Sequence, residues 1–498
     1  MQIEVLYGPI QASDADGIVL SLFEGAPLEG AVKAVDEALG GAVAGLIASG
    51  DFGGKAQQVA VLYPRGAIPA RRVILVGLGA AETFDADAVR QAAAVAAKKA
   101  RELQVSRLAS VLHGTGKLPA EQAAQATVEG SELGLYSYHG QKTAPPPPAL
   151  PQSLELMASD EAEMAAAAEG AARGQVVATA VALTRDLVNL PPNICTPAYL
   201  AQVAVEMAQQ SGLRVEVLER KQMEALKMGA LLAVAQGSDT PPRFIVLEHN
   251  ADRAADLKTV VLVGKGVTFD TGGYDLKTRE GMANMKVDMA GAAAVIGAMQ
   301  AVAALDLPLH VVGLAPAADN MIGSRAYRPQ EVITASNGTT IEVVSTDAEG
   351  RLLLADALVY AARFQPTAVV DIATLTGACM TALGVGVAAG LFSNDDALRD
   401  ALLAASARTA ERLWPLPLFP EYEKMIESDT ADVVNSSREK FPGVGASATF
   451  LKRFVSYPWA HIDMAGMAVG EKEHPYIARG KASGFGVRLL IEFVRGWQ

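Results

Sequence analysis

The residues best equipped for chemistry are acids and cations set against apolar sequence. Asp347, Glu349 and Arg351 lie in "VVSTDAEGRLLLADAL" (343–358), where a β-branched run hands over to a leucine-rich helix pattern. Lys265, Asp270 and Lys277 lie in "VVLVGKGVTFDTGGYDLK" (260–277), which leaves a strand through glycines. Asp288 lies near the start of "GMANMKVDMAGAAAVIGAMQAVAAL" (281–305), a helix pattern apolar on nearly every face and so a buried one. Capping is one reading of the 343–358 acids: Thr346 or Asp347 would cap, and acids in a first turn offset the macrodipole. Arg351 fits that reading badly, because a cation near a helix N-terminus is unfavourable. The other reading is that the acids converge on a cation and Arg351 is reserved for an anion.

An unpaired buried carboxylate is costly, so Asp288 requires a cap, a lysine or a metal ion. If Asp270, Asp288, Asp347 and Glu349 meet, two divalent cations would balance their charge. Lys265 could then add a nitrogen ligand, provided the metals override its ordinary pKa of about 10.4. The six histidines are scattered and form no HExxH motif. For each carboxylate alone, a cap or a salt bridge remains open.

The elements that must position these residues alternate between strand and helix. Strand patterns occur at 213–219, 243–249, 258–266, 309–316 and 368–375, with helical runs between most of them. "EVITASNGTTIEVVS" predicts a hairpin with a type I′ turn at Asn337-Gly338. The fold class is α/β, with a smaller N-terminal α/β domain and a larger C-terminal domain whose mixed, mostly parallel sheet is flanked by helices. The predicted organisation is an N-terminal domain over 1–160, a connecting helix over 161–190 ending at Pro191-Pro192, and a catalytic domain over 191–498. The run "TAPPPPALP" (143–151) is a stiff polyproline loop. Ligands of such sheets sit at the carboxyl ends of strands, where the charged residues lie. "GLGAAE" (77–82) lacks the third glycine of a dinucleotide fingerprint and carries little weight.

The 498 residues are half hydrophobic and 19% charged, enough for large cores. Two distant cysteines, Cys195 and Cys379, form no disulfide framework and suit a reducing cytosol. No signal peptide is visible at the N-terminus. Residues 372–394 carry no charge but are broken by glycines, so they read as buried strands and a glycine-rich loop, not as a membrane span. The net charge of −13 disfavours a general nucleic-acid binder.

"VGKGVTFDTGG…LK", "NMKVDMAGAAAV" and above all "STDAEGRLLLADAL" resemble the leucyl aminopeptidases, a di-zinc cytosolic family that includes bacterial aminopeptidase A. "RDLVNLPPNICTPAYLA", "DIATLTGA", "WAHIDMAG" and "SGFGVRLL" support the resemblance, which covers roughly residues 180–498. It implies one metal held by Lys265, Asp270, Asp288 and Glu349. A second would be held by Asp270, Asp347 and Glu349 with the Asp347 carbonyl. Lys277 would stabilise an oxyanion, and Arg351 would hold bicarbonate as general base. Met285, Thr374, Gly377 and Ala465 would form the pocket for the first substrate residue. The metals would be Zn²⁺ or Mn²⁺, with Co²⁺ or Mg²⁺ as further options. The resemblance further implies peptide substrates with leucine-like N-termini, a homohexamer built as a dimer of trimers, and a cytoplasmic location. Some bacterial relatives also bind DNA, so a DNA-binding regulator or recombination accessory factor is the alternative. This chain departs from the common pattern at Asp275, where Ser is frequent, at Thr278, where Pro is frequent, and at Ala290, where Gly is common.

Overall fold

The structure, a computed structural model, describes residues 1–114, 116–145, 151–439 and 443–497. Of the proline run, residues 146–150 lie outside the described residues. The chain divides into two compact units. One comprises Met1–Ala182 with Glu473–Ala478, and the other Leu183–Lys472 with Arg479–Gln498. The helix expected over 161–190 runs Glu161–Asn189, and the division falls inside it.

The smaller unit holds β1 (Gln2–Tyr7), β2 (Gly17–Phe23), β3 (Val59–Leu62), β4 (Arg72–Gly79), β5 (Arg107–Val111) and β6 (Ser153–Ala158). Their spatial order is β1-β6-β5-β2-β4-β3, parallel throughout except for the edge strand β3. Helices Ala86–Glu102 and Ala120–Leu135 pack together, and a buried ion pair joins them: Arg90 Nε lies 2.5 Å from Glu129 Oε2.

The larger unit adds β7 (Arg214–Leu218), β8 (Arg243–His249), β9 (Thr259–Gly264), β10 (Gly266–Asp270), β11 (His310–Asn320), β12 (Val332–Thr334), β13 (Thr340–Glu342), β14 (Ala368–Ala373), β15 (Ala389–Ser393), β16 (Leu413–Pro415), β17 (Val433–Val434) and β18 (Trp459–Asp463). The main sheet runs β16-β15-β18-β14-β9-β11-β8-β7, with β10 also on β11. Its centre is parallel; β7, β8 and β15 bring the antiparallel pairings. This is the expected mixed α/β architecture. The β9 and β14 strands are buried at every position, as Val-rich strands covered on both faces should be, and the one charge in β14, Asp371, is bonded to Trp459 and His461.

Four local expectations are corrected. The stretch after Gly264 is not simply a glycine-rich exit: β-branched and aromatic Val267, Thr268 and Phe269 extend into β10, parallel to β11. The 372–394 stretch contains a helix, Gly377–Leu383, whose start is capped by the Thr376 hydroxyl accepting from Cys379 N–H at 3.1 Å. The β12–β13 hairpin is closed by Gly338 N–H donating to the Ala335 carbonyl at 2.8 Å, with Gly338 alone left-handed (φ +91°). A type I′ turn needs Asn337 left-handed too, so the loop is longer than a two-residue turn. The 281–305 segment also breaks. A 3₁₀ turn, Met285–Met289, carries Asp288 and precedes the helix Ala290–Ala304. Among the described residues one stretch, Met285–Ala304, is long and apolar enough to cross a membrane; 78% of its most apolar window is buried inside the protein, as befits a core helix.

Asp356 fixes one corner of this fold. It is fully buried, and its carboxylate accepts from Leu231 N–H at 2.9 Å and Ser336 N–H at 2.7 Å. Asp356→Ala leaves both donors without partners inside the core, and we expect a loss on the order of 2 kcal/mol. A urea titration followed by circular dichroism should show the lower midpoint, with hydrolysis per folded molecule unchanged.

Candidate metal centre

The carboxyl ends of β9, β10, β11 and β14 meet the start of helix Gly350–Ala361 at one cleft. Lys265 sits between β9 and β10, tied to the sheet by its N–H to the Ile372 carbonyl (3.1 Å) and to the helix Ala290–Ala304 by its carbonyl accepting from Ala292 N–H (2.8 Å). Its side chain passes over Gly350, where a Cβ would lie 2.3 Å from Lys265 Cε, so only glycine leaves the path open. Lys265 Nζ ends 2.8 Å from Asp288 Oδ1 and 2.8 Å from Glu349 Oε1, and donates to the Thr374 carbonyl at 2.9 Å. Lys277 Nζ lies 2.8 Å from Asp270 Oδ2 and 2.5 Å from Asp347 Oδ1. Asp270, Asp347 and Glu349 each offer an oxygen within 4.8 Å of the others. Asp288 joins them through Lys265.

The electrostatics follow from crowding. Burial raises the Asp270 carboxyl to about 6, with Glu349 adding to the rise and the two lysines opposing it. Burial also raises Asp288 well above the usual range, against the pull of Lys265. For Lys265 burial alone would lower the ammonium, but Asp288, Glu349 and Asp270 outweigh it and raise it. Burial would raise Glu349, yet Lys265 wins and holds it down. Asp288 Oδ2 is buried and has no hydrogen-bond partner in the structure. Four acids, two amines and one orphaned carboxylate oxygen form a hard, electron-rich donor set that fits divalent cations.

Arg351 is buried beside them. Its Nη1 donates to the Asn435 carbonyl at 2.7 Å, and its Nε has no partner. Burial lowers its pKa to about 10, with Glu349 opposing, so it stays charged at neutral pH. All eleven residues singled out from the sequence line one cavity of about 670 Å³. Thr374 has a second task there: its hydroxyl donates to Asp288 Oδ1 at 2.7 Å. A Cβ on Gly377 would meet nothing within 4 Å, so this position faces open space.

Several supporting residues escaped the sequence reading. Asn320 Nδ2 donates to Asp270 Oδ1 (2.8 Å) and to the Thr346 carbonyl (3.0 Å), and Tyr327 Oη donates to the same carbonyl (2.8 Å). Asp463 accepts from the Thr376 hydroxyl at 2.6 Å and from Ala465 N–H at 3.2 Å, holding the pocket wall. Asp275, noted only as a departure, clamps two loops: Oδ2 accepts from Thr346 N–H at 2.7 Å, and its own N–H donates to Thr346 Oγ1 at 2.9 Å. Thr346 Oγ1 in turn donates to the Gly272 carbonyl at 2.7 Å. The loop carrying Lys277 is thereby fastened to the segment carrying Asp347 and Glu349.

Comparison with known proteins agrees with this geometry. Residues 182–491 match the model for the cytosol aminopeptidase family catalytic domain, and residues 19–145 match that family's N-terminal domain. The chain belongs to the cytosol aminopeptidase family and is a metal-dependent aminopeptidase, a hydrolase of peptides. It is 46% identical to the "Probable cytosol aminopeptidase" of Roseiflexus castenholzii, over 100% of this chain and 99% of that one. The corresponding protein of Geobacter sulfurreducens is 44% identical, over 99% of both. Among solved structures, a tomato leucine aminopeptidase variant superposes with a TM-score of 0.88 at 32% identity, covering 99% of this chain and 96% of that chain. The bottromycin maturation enzyme BotP in complex with Mn gives 0.84 at 36%, covering 97% and 99%.

Two outcomes test the geometry. Asp275→Ala should lower kcat/KM roughly 10- to 100-fold with secondary structure intact, as lost outer supports of metal sites do. Asp275→Ser should recover part of that loss, and equal activity in all three proteins would remove the clamp from the account. The folded Asp270 carboxyl holds its proton more tightly than the unfolded one. In metal-stripped protein this group therefore favours the fold as pH falls through about 6, and disfavours it above. Asp270→Asn should raise the thermal midpoint of the stripped protein more at about pH 7.5 than at about pH 5.

Proposed function

We propose that this aminopeptidase uses two divalent cations and prefers peptides with leucine-like N-terminal residues. One observation carries the reading: three buried carboxylates and the more exposed Asp347 share a cleft with two lysines, an arginine and an apolar wall. Lys265, Asp270, Asp288 and Glu349 would hold one ion. Asp270 and Glu349, with Asp347 and its carbonyl, would hold the other. Zn²⁺ or Mn²⁺ is the proposed metal, with Co²⁺ or Mg²⁺ as substitutes. When bound, such a pair polarises the scissile carbonyl and acidifies a water.

The remaining steps belong to the chain. Lys277 reaches the Asp270 and Asp347 oxygens and would donate to the oxygen that gains charge as the carbonyl is attacked. Arg351, with its Nε uncommitted, would hold a planar bicarbonate, which would supply the general base. Met285, Ala465 and the open face over Gly377 would receive an aliphatic side chain, with Thr374 steadying Asp288. We propose the family's hexamer, a dimer of trimers, and a cytoplasmic setting. No observation favours the DNA-binding alternative.

Glu349→Gln should abolish hydrolysis of a leucine chromogenic amide without unfolding the chain, and near-normal turnover would end the proposal. Lys277→Ala should lower kcat roughly 10²- to 10³-fold with KM little changed. Chelation should silence the wild type, and Zn²⁺, Mn²⁺ or Co²⁺ should restore it. Gly377→Leu should lower the leucine-over-alanine kcat/KM ratio about tenfold by filling the pocket.

A further inference from the structure

Two walls of the pocket for the first substrate residue, those of Met285 and Ala465, hang on the end of one helix. That helix, Glu161–Asn189, ends in the larger unit, where Arg185 and Asn189 are buried. The last carbonyls of a helix have no partner within it and carry partial negative charge. Lys286 answers one of them: its ammonium donates to the Asn189 carbonyl at 2.6 Å, across 97 residues of sequence. Lys286 directly follows Met285 in the 3₁₀ turn Met285–Met289, which the chain enters through Asn284 at φ +71°. The other wall is reached through side chains of the same helix end. Asn189 Oδ1 accepts from Ala482 N–H at 3.0 Å, and Arg185 Nε donates to the Ser483 carbonyl at 3.0 Å. Ser483 passes the tie on: its hydroxyl donates to the Met467 carbonyl at 2.6 Å and its N–H to the Ala468 carbonyl at 3.0 Å. Met467 N–H closes a turn on the Met464 carbonyl at 2.8 Å, and Ala465 lies inside that turn.

The two ends of the Met285–Met289 turn are secured by different means. Asp288 is fixed by Lys265 and by the Thr374 hydroxyl, independently of Lys286. Met285 presents an apolar side chain to the cavity and relies on its neighbour for a polar anchor. Releasing Lys286 therefore frees the Met285 end first and leaves the Asp288 end in place. An aliphatic pocket discriminates by contact: a branched side chain gains only from walls that touch it, and a methyl side chain is nearly indifferent to a small shift of either wall.

We propose that Asn189 and Lys286 are positioning residues that set the width of this pocket, and with it the preference for a branched aliphatic first residue over a smaller one. The inference deepens the pocket assignment of the proposed function and rests on it. The test uses the full-length, zinc-loaded chain, with leucine and alanine chromogenic amides and bound zinc measured by elemental analysis. Lys286→Met should lower kcat/KM about tenfold for the leucine amide and about twofold for the alanine amide. The leucine loss should lie in KM, with bound zinc as in wild type. Lys286→Arg, which keeps a cation at the helix end, should restore most of the ratio. Asn189→Ala, which releases Ala482, should shift the ratio in the same direction; if either variant does not fold, the other carries the test. Equal losses with both amides, or loss of zinc, would assign Lys286 to the support of Asp288 or of the fold and overturn the proposal. Met285→Ala separates the two levels of the reading. A ratio changed by Met285→Ala but untouched by Lys286→Met overturns this inference alone, whereas a ratio that Met285→Ala leaves unchanged ends the pocket assignment and the inference with it.

Discussion

The larger unit is organised around one constraint: four carboxylates share a cleft, three of them buried and Asp347 more exposed. At such separations in a protein interior, like charges repel by several kcal/mol, far more than in water. Two lysines supply the compensation available within the chain, each bridging two acids. Their unequal effect is visible in the acids themselves. Glu349, with Lys265 against one oxygen and Lys277 also pulling, keeps its charge, while Asp288, with Oδ2 unpartnered, holds a proton well above the usual range. The site is thus short of positive charge and has an open donor atom, the state in which cations bind strongly.

Much of the local backbone follows from that requirement. Gly350 lets Lys265 through, and Gly272 must be glycine both because it sits at φ +84° and because a Cβ there would lie 2.4 Å from the Asp275 carbonyl oxygen and 2.9 Å from Asp347 Oδ1. The β11 strand runs on to Asn320, past the end of its apolar pattern, and there its amide steadies Asp270 and the Thr346 carbonyl together. Asp275 and Thr346 then lock the Lys277 loop to the 345–349 segment. Outer contacts of this kind fix donor directions, which is why small changes in them alter metal sites without touching a ligand.

This also explains what the sequence revealed and what it hid. Asp270, Asp288, Asp347 and Glu349 were legible because a charge in apolar sequence is expensive and demands a partner. The central strands were legible because burial on both faces leaves continuous runs of Val, Ile and Leu. Asn320 was not legible: an amide after an apolar strand is an ordinary turn signal until its partners, 50 and 26 residues away, are known. The 3₁₀ turn around Asp288 was hidden because its apolar pattern merges with the helix that follows. The hairpin turn was misread because Asn-Gly permits a type I′ loop without requiring one.

The two units apply one topological rule to different side chains. In each, strand carboxyl ends converge on a crevice, because side chains and helix starts gather where parallel strands stop. In the larger unit the crevice carries acids with lysines threaded between them, so the acids are held together and their remaining demand is for multivalent charge. In the smaller unit the crevice is largely apolar, with Glu29 and Glu163 but no lysine or arginine among its described lining residues. Fold therefore sets where each crevice lies, and the side chains at the strand ends set what each can hold.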